Sequence, residues 1–78
     1  MEIHQLKYFI CVAKLESISK AATTLHLSQP ALSKSIAKLE DELGVLLFDR
    51  SGKRLHLNDR GRLFLEGAEK ALRELDSA

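Results

Sequence analysis

Residues 27–44, LSQPALSKSIAKLEDELG, contain the chain's one proline. Ser28 is placed to cap a helix, and Pro30 then falls in that helix's first turn, where its missing N–H had no intrahelical partner to lose. Leu32, Ile36, Leu39 and Leu43 recur at helical spacing as a buried stripe, and Gly44 supplies the stop. Opposite the stripe lie Pro30, Ser33, Lys34 and Ala37, with Gln29 at the leading edge. Small side chains on that face let the backbone come close to another surface. The far end carries Glu40, Asp41 and Glu42, an arrangement that opposes the helix dipole. A helix that is small and basic at its start and acidic at its finish is suited to enter a negatively charged groove by its N-terminal end.

Working outward, residues 3–15 read as a helix with two apolar faces, Leu6/Phe9/Ile10/Ala13 and Tyr8/Cys11/Val12/Leu15. Such a helix must pack twice, against a core and against a second element or a partner chain. Ser17 is a natural N-cap for a short second helix bearing Ile18, Ala21, Ala22 and Leu25, and His26-Leu27 connects it tightly to the helix above. Two short helices joined in this way match a helix-turn-helix at about 18–37. Beyond Gly44, Leu47-Phe48 and the alternating Leu55-His56-Leu57 flank a turn centred on Ser51-Gly52-Lys53, which predicts a β-hairpin. Asn58 or Asp59 caps a fourth helix, along which Leu65, Ala68, Leu72 and Leu75 form a short coiled-coil-like seam. The expected fold is mostly α, a three-helix core with a two-stranded hairpin followed by a long C-terminal helix.

At 78 residues this is one domain, with apolar content (45%) ordinary for a globular chain. Three Phe, one Tyr and no Trp predict a core made chiefly of Leu, Ile, Val and Ala. No stretch is long and apolar enough to span a bilayer, the start MEIHQLK is not a signal peptide, and a lone Cys11 fits a reducing cytoplasm. The net charge of +1 conceals local clusters. Lys7, Lys14, Lys20, Lys34 and Lys38 outnumber Glu2 and Glu16 in the first half, and Arg50, Lys53, Arg54, Arg60 and Arg62 crowd around the hairpin and the start of the last helix. For a small nucleic-acid reader such clusters matter more than the total.

Side-chain chemistry gives these positions roles. Gln29 can pair with an adenine edge, Lys34 can reach guanine or phosphate, Ser33 can donate or accept, and Pro30 can touch a thymine methyl. Arg50, Lys53 and Arg54 around a tight turn can lie along phosphates or enter a minor groove. The plainer reading of either feature is a solvated helix face or a solvated turn. Their joint occurrence in this element order favours DNA. His4, His26 and His56 are too scattered to hold a metal, Cys11 reads as packing, and no phosphate loop or nucleophile–base spacing is present. No enzyme activity and no cofactor are expected.

LKYFICVAKLESISKAATTLHLSQPALSKSIAKLEDELGVLLFDR, and above all its part AATTLHLSQPALSKSIAKLEDELGVLLFDR, resembles the N-terminal DNA-binding region of LysR-type bacterial transcriptional regulators; KRLHLNDRG resembles the second wing strand and the start of the linker helix. The resemblance implies a winged helix-turn-helix over 1–58, a wing at about 46–57, and a linker and dimerisation helix over 59–78. It implies base reading by Gln29, Pro30, Ser33 and Lys34, backbone or wing contacts by Ser28, Lys38, Arg50, Lys53 and Arg54, and dimerisation through Leu65, Ala68, Leu72 and Leu75. The implied partner is double-stranded DNA carrying an interrupted inverted repeat, bound by a cytoplasmic, nucleoid-associated homodimer. A tetramer and a small-molecule effector belong to a C-terminal domain absent from this chain. Three positions depart from the family pattern: Glu16 where Gly is frequent, Lys34 where Arg is frequent, and LNDRG at the start of the linker, which adds Arg60. The rival reading is a protein-interaction or dimerisation module that keeps the shape without reading DNA.

Overall fold

The structure, a computed structural model, describes residues 1–52 and 54–77. The chain runs α1 (Ile3–Leu15), α2 (Ile18–Leu25), α3 (Gln29–Leu43), β1 (Phe48–Ser51), β2 (Arg54–Leu57) and α4 (Asp59–Ser77). The helix starts follow the expected capping chemistry. Ser17 Oγ accepts from the Lys20 N–H (3.1 Å) and Ser28 Oγ from the Ala31 N–H (3.2 Å). Of the two candidates before α4, Asn58 is the cap: its Oδ1 accepts from the Gly61 N–H at 2.8 Å, and Asp59 is the first helical residue. All three helices of the N-terminal bundle end on a left-handed residue, Glu16 (φ 49°), His26 (φ 58°) and Gly44 (φ 74°).

The buried side chains are Phe9, Val12, Ala13, Ala21, Ala22, Leu32, Ile36, Leu39, Leu47 and Phe48, joined by Ala68 from α4. Aromatic residues have a larger part in this core than composition suggested. Phe9 on α1 is fully buried, with Phe48 of β1 at a centroid distance of 5.5 Å and Phe64 of α4 at 5.2 Å, edge to face. All three phenylalanines of the chain therefore meet, tying hairpin and last helix to the bundle; such contacts add about 0.5–1.5 kcal/mol each beyond area burial. The twofold apolar character of α1 is explained here. It packs on α2 and α3 and also on α4, the latter contact clasped by Lys14 Nζ and Glu69 Oε2 at 2.9 Å.

The hairpin is antiparallel, with Phe48 opposite Leu57, Asp49 opposite His56, Arg50 opposite Leu55 and Ser51 opposite Arg54. Gly52 takes φ 62° in its turn; Lys53, expected in that turn, lies outside the described residues. Leu46 and Leu47 precede the strand and are pinned from both sides. The Leu47 N–H donates to Glu40 Oε2 (2.7 Å), the Leu47 carbonyl accepts from the Asn58 N–H (3.0 Å), and the Leu46 carbonyl accepts from Asn58 Nδ2 (3.0 Å). Gly61 sits against this segment so closely that a Cβ would collide with the Leu47 carbonyl oxygen and approach Leu57 Cδ1 to 2.6 Å. Here glycine is required by close packing, since its φ is not in the left-handed region.

The acidic end of α3 has internal partners as well as a DNA-facing rationale. Besides Glu40, Glu42 accepts from the N-terminal ammonium (2.8 Å) and from Gln5 Nε2 (3.3 Å). Part of the charge gradient along α3 is thus a consequence of tethering the α3–β1 corner.

Candidate nucleic-acid interface

Gln29, Pro30 and Lys34 on α3 are exposed, with Ser33 half-buried beside them. The stripe Leu32/Ile36/Leu39 on the opposite side is inserted in the core, so the helix cannot roll without extracting it. Ser28 is exposed and its Oγ is held as the cap acceptor, which leaves its hydroxyl hydrogen free to donate. Lys38 is exposed a turn beyond Lys34.

The start of α3 opens onto a groove of about 560 Å³ between α2 and the wing. Gln29 forms one wall; Ser17, Ser19 and Lys20 from the first turn of α2 form another, and Arg50 and Arg54 of the wing close the third. The fold therefore brings together Gln29, Arg50 and Arg54 from the expected set. Pro30, Ser33, Lys34 and Lys38 lie outside this groove along α3, and Lys53 is not among the described residues. Lys20 and the α2 start were not singled out from the sequence. The available signal was a lysine in the first turn of a Ser-capped helix, where free N–H groups and positive charge coincide. Glu16 also lines this groove, with Oε2 3.5 Å from His56 Nδ1 on β2.

Chemically, the groove combines cationic side chains with amide and hydroxyl groups of the kind that can pair with base edges. Lys20, Arg50 and Arg54 line one groove with Gln29, and cations of this kind can hold a phosphate while an amide side chain pairs with a base edge. Two other charged groups are engaged within the chain. Arg62 donates to the Leu57 carbonyl (2.9 Å) and pairs with Asp59, and the Glu42 carboxyl is held below its usual range, first by its hydrogen bond from the N-terminal ammonium and next by Gln5.

Along α4, Ala68 is buried within the chain and Leu65 packs against its core, while Leu72 is half-buried and Leu75 exposed. A separate apolar groove of about 550 Å³ lies between α4, the start of α1 and the α3–β1 corner, lined by Leu6, Leu43, Val45, Phe64, Gly67 and Ala71 with the strongly exposed Leu63 (73%) on its rim.

A three-helix core with a basic hairpin and an exposed recognition-type helix defines a winged helix-turn-helix protein. The family model for the bacterial regulatory helix-turn-helix protein, lysR family, matches residues 3–62, and the chain belongs to that family. Among its relatives, the HTH-type transcriptional regulator BsdA of Bacillus subtilis (strain 168) is 46% identical over 79 residues, covering 100% of this chain and 27% of BsdA. In shape the chain resembles the BenM_DBD/catB site 1 DNA complex (TM-score 0.93, 38% identity, 99% of this chain and 86% of that one). It equally resembles the CbnR_DBD–DNA complex (TM-score 0.93, 42% identity, 99% and 88%). The chain spans about a quarter of the length of the curated relatives it matches (25% and 27% for two of them). These relatives are transcriptional regulators, not enzymes.

Proposed function

We propose that this chain is the sequence-specific, double-stranded DNA-binding domain of a LysR-type transcription regulator. The observation that carries the reading is the convergence of Gln29, Lys20, Arg50 and Arg54 on one groove at the exposed start of α3. α3 enters the major groove by its N-terminal end, with Gln29, Pro30, Ser33 and Lys34 against base edges. Ser28, Lys38, Lys20 and the wing arginines hold the flanking backbone, and the wing tip reaches toward a minor groove. DNA complexes of the similar BenM and CbnR domains support this.

Residues 1–58 form the reading unit and 59–78 the linker, through which two copies address an interrupted inverted repeat. Because Ala68 and Leu65 serve the chain's own core, the pairing surface on α4 comprises Leu72 and Leu75 together with Leu63, Gly67 and Ala71. In the longer regulator an effector domain follows and supports higher assembly, with the protein in the cytoplasm on the nucleoid. No helix among the described residues is long and apolar enough to cross a membrane.

The test is a salt titration by fluorescence anisotropy on an inverted-repeat duplex selected from a random pool and on a scrambled duplex. The expected result is a large affinity ratio together with a steep fall of log K with log salt. Equal, weak binding to both duplexes would reject sequence reading and favour the interaction-module alternative, for which the apolar α4 groove is the specific observation.

A further inference from the structure

We propose that Glu16 limits how strongly the α2–wing groove accepts a DNA phosphate, and that protonated His56 lifts this limit, making DNA affinity fall as pH rises. The inference rests on the DNA-binding reading above and adds a regulation of the same site.

Three observations meet at Glu16. It occupies a left-handed position (φ 49°) at the end of α1, its N–H fixed on the Val12 carbonyl at 2.7 Å. A side chain there carries a steric cost that glycine avoids. Glu16 lines the groove that also holds Lys20, Arg50 and Arg54, and it is the one acidic residue among the described residues lining that groove. Finally, Oε2 lies 3.5 Å from His56 Nδ1, with both side chains about half exposed (51% and 47%). An anion drawn in by the three cations therefore meets a negative charge whose partner is the imidazole.

The charged groups facing His56 come from each neighbouring element. Glu16 approaches from the α1–α2 corner, Asp49 stands directly opposite on β1, and Arg54 lies two residues back on the same face of β2. From α4, Arg62 is engaged by the Leu57 carbonyl and Asp59. Histidine is the side chain that ordinarily changes charge between pH 5 and 8. With a proton, His56 offsets the Glu16 charge and donates to it; without one, Glu16 stands uncompensated beside the phosphate path. A bound duplex adds negative charge that favours the protonated ring, so protons are taken up on binding and affinity must fall as pH rises through the histidine range.

The experiment measures duplex affinity by anisotropy with a pH-insensitive label, at constant ionic strength, near pH ~6 and ~8. The pair is solvent-exposed, so the wild type is expected to weaken by about three- to fivefold between them. His56→Gln should weaken less than the wild type across this range and bind like it at the higher pH; His4 and His26 remain in it and carry what response is left. Glu16→Gln should bind more tightly than the wild type at the higher pH and weaken less between the two, the remaining response being that of His56 beside the duplex. In thermal unfolding, the two substitutions should show a coupling of about 1–4 °C at the lower pH that disappears at the higher. Retention of the wild-type pH response in His56→Gln, or unchanged high-pH affinity in Glu16→Gln, overturns the proposal. A wild type that binds duplex equally at both pH values overturns it while leaving the DNA reading intact. One that binds no duplex at either pH removes both.

Discussion

Gln29 is the residue on which the proposed base reading turns. It is exposed at the first position of α3, beside the wing arginines, and its side chain supports nothing in the core. Gln29→Ala should therefore cost about 1–3 kcal/mol on the selected duplex and relax base choice, while leaving the melting temperature unchanged. Parallel binding and melting curves check both halves; intact sequence preference would remove Gln29 from the reading set. Gly61 has the opposite profile. It touches no ligand face, yet a methyl group there meets the Leu47 carbonyl and Leu57. Gly61→Ala should destabilise the fold by about 1–3 kcal/mol, measurable by urea unfolding, because the close approach of α4 to the α3–β1 corner has no room to relax cheaply. The glycine in NDRG was visible as a letter, but nothing in its neighbours along the chain revealed this contact with a carbonyl fourteen positions earlier.

At the scale of the elements, capping and termination were legible in advance because they are local. Ser17, Ser28 and Gly44 act within a few residues of where they stand. Asn58 does more than cap. It holds the Gly61 N–H with Oδ1, the Leu46 carbonyl with Nδ2 and the Leu47 carbonyl with its own N–H. Asn58→Ala retains the backbone bond and loses both side-chain bonds, so its expected cost lies at the upper end of the ~0.5–2 kcal/mol usual for a cap. A loss below the lower end in thermal or urea unfolding would show that the two Asn58 side-chain bonds do not hold the corner. The contact of α3 with the start of α1 has a pH signature through Glu42. Its folded-state carboxyl is held below the ordinary value by the N-terminal ammonium and by Gln5, so its contribution is present above the ordinary carboxylate pKa and fades as pH falls through the lowered one. The stability difference between wild type and Glu42→Gln should thus be largest near neutrality and shrink as acid protonates the carboxyl below the ordinary carboxylate range. Thermal melts across this range decide it; a difference that grows with acid would reverse the sign and contradict the assignment.

For the whole molecule, the decisive arrangement is the separation of two surfaces. The polar groove lies between α2, α3 and the wing; the apolar one lies between α4, the start of α1 and the α3–β1 corner. DNA reading and pairing should therefore be separable by substitution. Leu63→Glu, on a side chain 73% exposed, should leave the fold intact and shift sedimentation from dimer toward monomer. Duplex affinity should then fall on a full inverted repeat and change little on a single half-site. Unaltered sedimentation would place the pairing surface elsewhere on α4.

What the sequence by itself determined was whatever depends on neighbours three or four positions away. Helix periods, serine caps, the glycine stop after α3, the hairpin and the exposed Gln29–Lys34 face are all of this kind, and they carry the winged helix-turn-helix and its family. The tertiary structure alone decided which surfaces meet. The seam Leu65/Ala68/Leu72/Leu75 looks uniform along the helix, yet Ala68 is buried against the chain's own bundle and Leu75 is not. Phe9, Phe48 and Phe64 lie far apart in sequence and touch in space. Lys20 joins Arg50 and Arg54, and Glu16 finds His56, only once the wing folds back beside α2. The physical reason is common to all four: periodicity specifies that a face is apolar or charged, whereas its partner is chosen by chain closure and packing across the whole domain.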